Sequence, residues 1–191
     1  MAVAKHIDGE RIWNWLRVAG WGGAAIILLL PLAAMQFTSE VDWSFSDFVV
    51  MGALLGGSGL LLELATRRST SLTYRLGCAV AVGASFLLVW VNGAVGFLGD
   101  EDNPANLMFL GVILIAAAGA LVARAKPAGM ARAMAVATAA QVLAGALGFA
   151  AGWASPGPQG VYEAVVGTGL FTALWLGSAA LFRMASREAV S

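Results

Sequence analysis

The stretch "GDEDNPANLMFLGVILIAAAGALVARAK", residues 99–126, decides the fold class of this chain. Three acidic residues precede Asn103 and Pro104, a run of 20 uncharged residues starts at the proline, and Arg124 and Lys126 follow that run. An apolar segment of about 20 residues can cross the hydrocarbon core of a bilayer as a helix. The stretch therefore predicts a transmembrane helix with acidic residues at one end and basic residues at the other.

The remainder of the chain has the same character. Hydrophobic residues make up 60% of the sequence and charged residues only 12%, whereas a soluble domain carries about 25% charged residues. Reading the sequence for apolar runs gives six predicted spans, at 18–37, 47–66, 74–98, 104–123, 129–153 and 160–183. Because the loops are short, we predict an all-α polytopic membrane protein whose transmembrane domain, 18–183, is an antiparallel six-helix bundle.

The charges predict the orientation of these spans. All 11 lysines and arginines fall in or next to the N-terminal segment, the second loop, the fourth loop and the C-terminal end. The positive-inside rule therefore places both termini in the cytoplasm. Most of the acidic residues fall on the opposite side. The net charge is zero, so the composition does not point to nucleic acid as a partner.

The two ends of the chain are predicted to be cytoplasmic. Residues 1–17 mix cations with apolar residues, and Ile12, Trp13 and Leu16 share one helical face. This pattern is typical of a short amphipathic helix that lies on the membrane surface, and docking on a partner protein is the alternative. Residues 184–191 form a short cytoplasmic tail.

The acidic stretch has two interpretations. In the first it starts a helix: Asn103 is the N-cap, Pro104 takes the first helical position, and nearby acids interact favourably with the helix dipole. Ser46 is predicted to start the second span in the same way. In the second interpretation the acids form a cation site at the outer mouth of the bundle, because hard cations prefer carboxylate oxygens. The candidate ligands are Asp100, Glu101, Asp102, Glu40 and Asp42.

Polar residues inside the predicted spans are few. Asn92 and Gln141 are the most deeply embedded, and Gln36 and Glu63 lie nearer the ends of their spans. Such residues either form hydrogen bonds between helices or line a substrate pathway. Glu63 precedes Arg67 by four residues, a spacing that favours an ion pair on one helix.

The sequence carries no recognisable catalytic or cofactor motif. Its one histidine, His6, lies in the N-terminal segment, and its one cysteine, Cys78, lies in an apolar run. No Walker A, H-E-x-x-H or G-x-S-x-G pattern occurs. We therefore expect neither an enzyme nor a bound cofactor.

Glycines suggest sites of close helix packing. Gly52 and Gly56 form one G-x-x-x-G motif, and Gly148 and Gly152 form another. Such motifs let two helix backbones approach closely. They would tighten the bundle if they face inward, and they would support self-association or docking to another membrane protein if they face outward.

Residues 87–108, "LLVWVNGAVGFLGDEDNPANLM", resemble a set of uncharacterised bacterial six-helix inner-membrane proteins. These proteins carry a similar Asn-x-x-Val-Gly turn that leads to Glu-Asp-Asn-Pro-Ala-Asn. The likeness extends upstream through "AMQFTSEVDWSFSDF" and covers the first four spans better than the last two. It implies a location in the bacterial inner membrane, and it implies no activity.

Two functions follow as expectations. The first is a non-enzymatic inner-membrane protein that acts by association, as an accessory, assembly or scaffold component, with the bilayer and a second copy or another membrane protein as partners. The alternative is a small transporter or channel whose acidic periplasmic mouth gathers cations. A sensor of divalent cations that uses the outer acids is a third possibility.

Overall fold

The computed structural model describes residues 2–100 and 102–189, with side chains from residue 10 onward. The regular structure in these residues is helical throughout. The helices are α1 (Ala2–Ala34), α2 (Phe45–Thr66), α3 (Leu72–Ala94), α4 (Leu107–Ala123), α5 (Pro127–Ala150) and α6 (Gly157–Glu188), and a short 3₁₀ helix, Pro104–Asn106, leads into α4. Six helical segments of this part of the chain are long and apolar enough to cross a membrane. The prediction of an all-α protein with six such helices is confirmed.

The first helix differs from the prediction at both ends. It continues without a break from Ala2, so residues 2–17 form the beginning of α1 and are not a separate amphipathic helix. It ends at Ala34, and residues 35–37 form a turn. The N-terminal segment is more polar than the span that follows it, but the helix continues through both because no proline occurs before Pro31.

Prolines and glycines account for the other boundaries. Pro127 occupies the start of α5, where its missing N–H costs nothing. The third span ends at Ala94 and not at residue 98, because Gly96 takes a positive φ of 74°. Gly152, at φ 69°, follows the end of α5 in the same way. Glycine adopts this left-handed conformation without a steric penalty, so it ends a helix readily.

The chain divides after Leu72 into two compact units. Unit 1 contains α1 and α2, which run antiparallel. Arg17 forms an ion pair with Glu63 at 2.7 Å. The Trp21 ring fills the space that a side chain at Gly59 would need. A third contact joins Leu28 to Gly52. From the first contact to the second, each helix advances by one turn, and from the second to the third, each advances by two turns. The two helices therefore share one continuous antiparallel seam.

Unit 2 contains α3 to α6, and α5 packs against both α4 and α6. Gly119 faces Ala133 across the α4–α5 seam, and Gly145 faces Thr168 across the α5–α6 seam. The third helix meets α6 through a hydrogen bond from the Ser178 hydroxyl to the Gly77 carbonyl, at 2.9 Å. Large side chains fill the interior of this unit, including Tyr74, Leu88, Phe109, Met134, Trp175 and Phe182.

The four glycines of the two G-x-x-x-G motifs do not behave alike. Gly148 packs so closely against Leu98 that a side chain would not fit. Gly52 makes an ordinary contact, and the space beside Gly56 is open for 4 Å. Gly152 lies beyond the end of α5. Among the described residues, Gly56 and Gly152 therefore have no close helix neighbour, and of the four glycines only Gly148 packs tightly inside its unit.

Candidate functional site

Residues 95–100, 102 and 103 belong to the loop that follows α3, and one side chain holds this loop in place. Asn106 is buried, and its Oδ1 accepts hydrogen bonds from the backbone N–H groups of Phe97, at 3.0 Å, and Leu98, at 2.8 Å. Its Nδ2 donates to the carbonyl of Asp100 at 2.7 Å. Buried backbone groups need such partners, and Asn106 supplies them for the backbone groups of the residues that follow α3.

The apolar part of the loop is inserted into unit 2. The Phe97 ring lies 4.1 Å from the Phe109 ring and 5.6 Å from the Phe171 ring, measured between centroids. Gly167 makes room for Phe97, and Gly148 makes room for Leu98. The loop therefore closes one end of this unit with buried hydrophobic side chains.

Two further contacts join this loop to the connection between α5 and α6. The Ser155 hydroxyl donates to the carbonyl of Gly99 at 3.1 Å. The side-chain amide of Asn103 donates to the carbonyl of Trp153 at 3.4 Å, and its Oδ1 accepts from the N–H of Ala105 at 3.0 Å. Asn103 thus occupies the N-cap position and Pro104 the first helical position, as the helix-start interpretation requires.

The acidic side chains point outward. Asp100 and Asp102 are exposed in unit 2, Glu40 and Asp42 are exposed in unit 1, and Glu101 lies outside the described residues. Among the residues that the structure describes, no group of three or more histidine, cysteine, aspartate or glutamate side chains could hold a metal ion. The hydrogen bonds of the loop come from amides and backbone groups, which favours a structural role for this stretch.

The start of the second helix corrects the prediction for Ser46. The N-cap is Ser44, whose hydroxyl accepts from the N–H of Asp47 while the Asp47 carboxylate accepts from the N–H of Ser44 at 2.7 Å. This reciprocal pair is a capping box. The second helix therefore begins at Phe45, two residues before the predicted boundary. A capping box needs a side chain that can accept a hydrogen bond three positions after the N-cap, and Asp47 has this spacing from Ser44.

The two polar residues at the helix ends have different partners. Glu63 accepts from Arg17 of α1 at 2.7 Å, so the predicted pair with Arg67 on its own helix is wrong. Arg17 reaches Glu63 because the antiparallel seam sets them at one level. The Gln36 side chain donates to the carbonyl of Leu32 at 3.4 Å and lies exposed in the turn after α1.

Among the described residues, neither Asn92 nor Gln141 forms a hydrogen bond to another helix, which was the first of the two interpretations of their positions. The Asn92 amide donates to the carbonyl of Leu88 in its own helix at 2.6 Å, and its oxygen is buried without a partner. The Gln141 side chain is fully buried, and neither its oxygen nor its nitrogen has a partner. Each unpaired buried group costs about 1–3 kcal/mol, so the burial of the Gln141 amide is unfavourable for folding.

Two further unpaired groups lie near Gln141 along the α5–α6 seam. Gly145 of α5 faces Thr168 of α6. Because the two helices are antiparallel, one turn back along α5 corresponds to one turn forward along α6. Gln141 therefore lies level with Thr172. The hydroxyl of Thr172 and the indole N–H of Trp175 are also buried without a partner. We refer to Gln141, Thr172 and Trp175 as the polar level of unit 2.

Sequence reasoning found Gln141 but missed the contribution of α6 to this level. The available signal was the helical spacing of Thr168, Thr172, Trp175 and Ser178, which places four groups capable of hydrogen bonding along one side of the last helix. No spacing pattern in the sequence marks Asn106 as a residue that holds the loop. Its structural role depends on a loop conformation that spacing does not reveal.

Comparison of the chain with protein-family models, with curated proteins and with solved structures finds no match.

Proposed function

We propose that this protein is a non-enzymatic integral membrane protein of the bacterial inner membrane that acts by association, as an accessory, assembly or scaffold component. The observation that carries the proposal is the open surface beside four glycines of unit 1. At Gly20, Gly23, Gly56 and Gly57, an added Cβ would meet no atom within 4 Å. We call these residues the open glycine surface.

The positions of these glycines along the α1–α2 hairpin support association. The contacts of Trp21 with Gly59 and of Leu28 with Gly52 set Gly23 and Gly57 at about the same height of the α1–α2 hairpin. Glycine is unfavourable inside a helix unless a neighbour needs the space. In unit 2, Gly119 and Gly145 have such neighbours, whereas the glycines of the open glycine surface have none among the residues that the structure describes. Another transmembrane helix would approach closely at this height.

Replacing Gly56 with leucine is expected to weaken the association. The added side chain would hold a partner helix away, so the larger assembly should be lost or reduced at least about tenfold in a mild detergent extract of native membranes. Size-exclusion chromatography with light scattering measures this. Gly111→Leu is the matched control, since Gly111 is also open but lies in unit 2. A wild-type protein that is purified alone and as a monomer would contradict the proposal.

The orientation is part of the same proposal, and the distribution of charges supports it. With both termini in the cytoplasm, a cysteine introduced by Asp102→Cys should react with a membrane-impermeant maleimide in intact cells, and one introduced by Lys126→Cys should react only after lysis. Both positions are exposed, so burial does not limit labelling. The reverse pattern would reject the positive-inside assignment.

A small transporter or channel is the second candidate, and the polar level of unit 2 favours it. Unpaired polar groups deep in a membrane protein are costly and are typical of sites that meet a polar solute or water. Asn92 adds a further unpaired oxygen on α3. The acidic loop would then raise the local concentration of cations at one end of the path.

Gln141→Leu separates the two candidates. If the amide serves no solute, its removal should leave the thermal stability of the purified protein unchanged or raise the free energy of unfolding by about 1–2 kcal/mol. Ser178→Ala, which removes a satisfied buried hydrogen bond, should lower it by about 1 kcal/mol. Flux into proteoliposomes that is present in the wild type and abolished in Gln141→Leu would establish transport and displace the leading proposal.

A further inference from the structure

A groove runs along the α4–α5 hairpin of unit 2 and has a volume of about 450 Å³. Its floor is apolar, from Ile115 and Val136 at one end to Ala123 near the turn, and Lys126 and Arg132 are its two charged lining residues. The distance along α4 from Ile115 to Ala123 is about 12 Å, at 1.5 Å per residue. The groove therefore combines a long apolar part with a basic end.

The groove has its shape because two glycines lie on the seam. Gly119 meets Ala133 and Gly129 meets Ala123 without an intervening side chain. The two helices therefore approach closely and leave a narrow channel beside the seam. Val122 borders this channel and is largely exposed, at 84%. An apolar channel of this kind contacts an extended hydrocarbon chain along its length through dispersion forces.

The basic end is suited to an anion. Lys126 and Arg132 are exposed, and Arg124 lies with Lys126 beside a neighbouring open recess. The 24-residue helix α5 begins here with no side chain capping its first N–H groups, and the positive end of its dipole adds to the two cations. Basic pockets between transmembrane helices on the cytoplasmic side are suited to anionic lipid head groups.

The turn that holds these cations is strained. Arg124 and Ala125 both adopt the left-handed conformation, with φ of 48° and 60°. Each non-glycine residue in this conformation costs about 1–2 kcal/mol. This conformation permits a connection of only three residues between α4 and α5. Lys126, the last of the three, lines the groove. Local strain that is retained in this way is a feature of binding sites.

We propose that the groove binds an anionic phospholipid of the adjacent leaflet. The phosphate lies between Lys126, Arg132 and the first turn of α5, and one acyl chain lies along the apolar floor. Charge complementarity selects an anionic head group over a zwitterionic one, and the apolar length selects a lipid over a free phosphate. This inference does not depend on the proposed role in association.

Native mass spectrometry of the full-length protein in a non-ionic detergent tests the proposal. The wild type should retain phosphatidylglycerol in preference to phosphatidylcholine with the same acyl chains. The double variant Lys126→Gln and Arg132→Gln should lower the association constant for phosphatidylglycerol about twentyfold, since each cation near the head group contributes roughly fivefold. Arg183→Gln with Arg187→Gln, which removes two cations that do not line the groove, should change it less than about twofold.

A second variant tests the apolar part without changing charge. Val122→Trp fills the channel, and its exposed position allows the helix to form, as circular dichroism would verify. We expect retention of phosphatidylglycerol to fall at least about fivefold, because the acyl chain loses its contact surface. Glycerol phosphate at millimolar concentration should not displace the lipid. Any of three results would overturn the proposal. The two lipids could be retained equally, the double variant of Lys126 and Arg132 could bind phosphatidylglycerol as tightly as the wild type, or glycerol phosphate could displace the lipid.

Discussion

Asn106→Ala should destabilise unit 2 by about 3 kcal/mol. The substitution leaves the N–H groups of Phe97 and Leu98 buried without an acceptor, and each such group costs about 1–3 kcal/mol. For a chain of this length the corresponding loss in melting temperature is about 10 °C. Thermal unfolding of the purified protein in detergent, followed by circular dichroism, measures the effect.

Asn103→Ala is the matched control for this experiment. Asn103 is also an amide in the same loop, but its Oδ1 accepts a single backbone N–H, that of Ala105, so the expected loss is about 1 kcal/mol. Equal melting temperatures for the two variants would show that Asn106 does not organise the loop. A large loss at Asn106 alone would identify the loop as a structural closure of unit 2.

Gly119→Leu should have the largest effect among the glycine substitutions of the α4–α5 seam. A Cβ at Gly119 would lie 2.6 Å from the Cβ of Ala133 and 3.2 Å from its Cα. Alanine has no rotatable side chain that could move aside, so the two helices must separate. Overpacking of this kind costs about 1–3 kcal/mol, and the loss of the seam adds to it. We expect little folded protein to accumulate in the membrane.

Gly111→Leu provides the comparison on the same helix. Gly111 lies about two turns before Gly119, and no atom lies within 4 Å of an added Cβ there. This variant should accumulate and unfold like the wild type. Expression level and melting temperature together measure the difference, and a Gly119→Leu protein as stable as Gly111→Leu would refute the close approach of α4 and α5.

The same contrast separates two kinds of glycine, and both kinds occur in each unit. Gly119, Gly145 and Gly148 have neighbours inside unit 2 that require the absence of a side chain, whereas Gly56 and Gly57 in unit 1 have none. A glycine with an internal neighbour contributes to folding. A glycine without one is available to a partner, and the proposal of association rests on unit 1 because Gly23 and Gly57 lie at about the same height of one hairpin.

The sequence by itself determined the features that depend on neighbouring residues. Hydropathy located six helices long enough for a membrane, because an apolar run of sufficient length is a local property. The helix start at Asn103 and Pro104 was also predictable, since capping depends on residues within one turn. The boundaries were less accurate where a nearby alternative existed, as at Ser44 and Ser46.

Only the tertiary structure decided which side chains meet across the chain. Arg17, 46 residues from Glu63, displaces the nearer Arg67 because the antiparallel seam of unit 1 aligns the two charged groups. Asn106 serves the loop because Gly96 turns the backbone back towards it. Gln141 is buried level with Thr172 on α6, yet neither side chain has a hydrogen-bond partner. Contacts of this kind depend on helix rotation and register, which the order of residues along one helix does not specify.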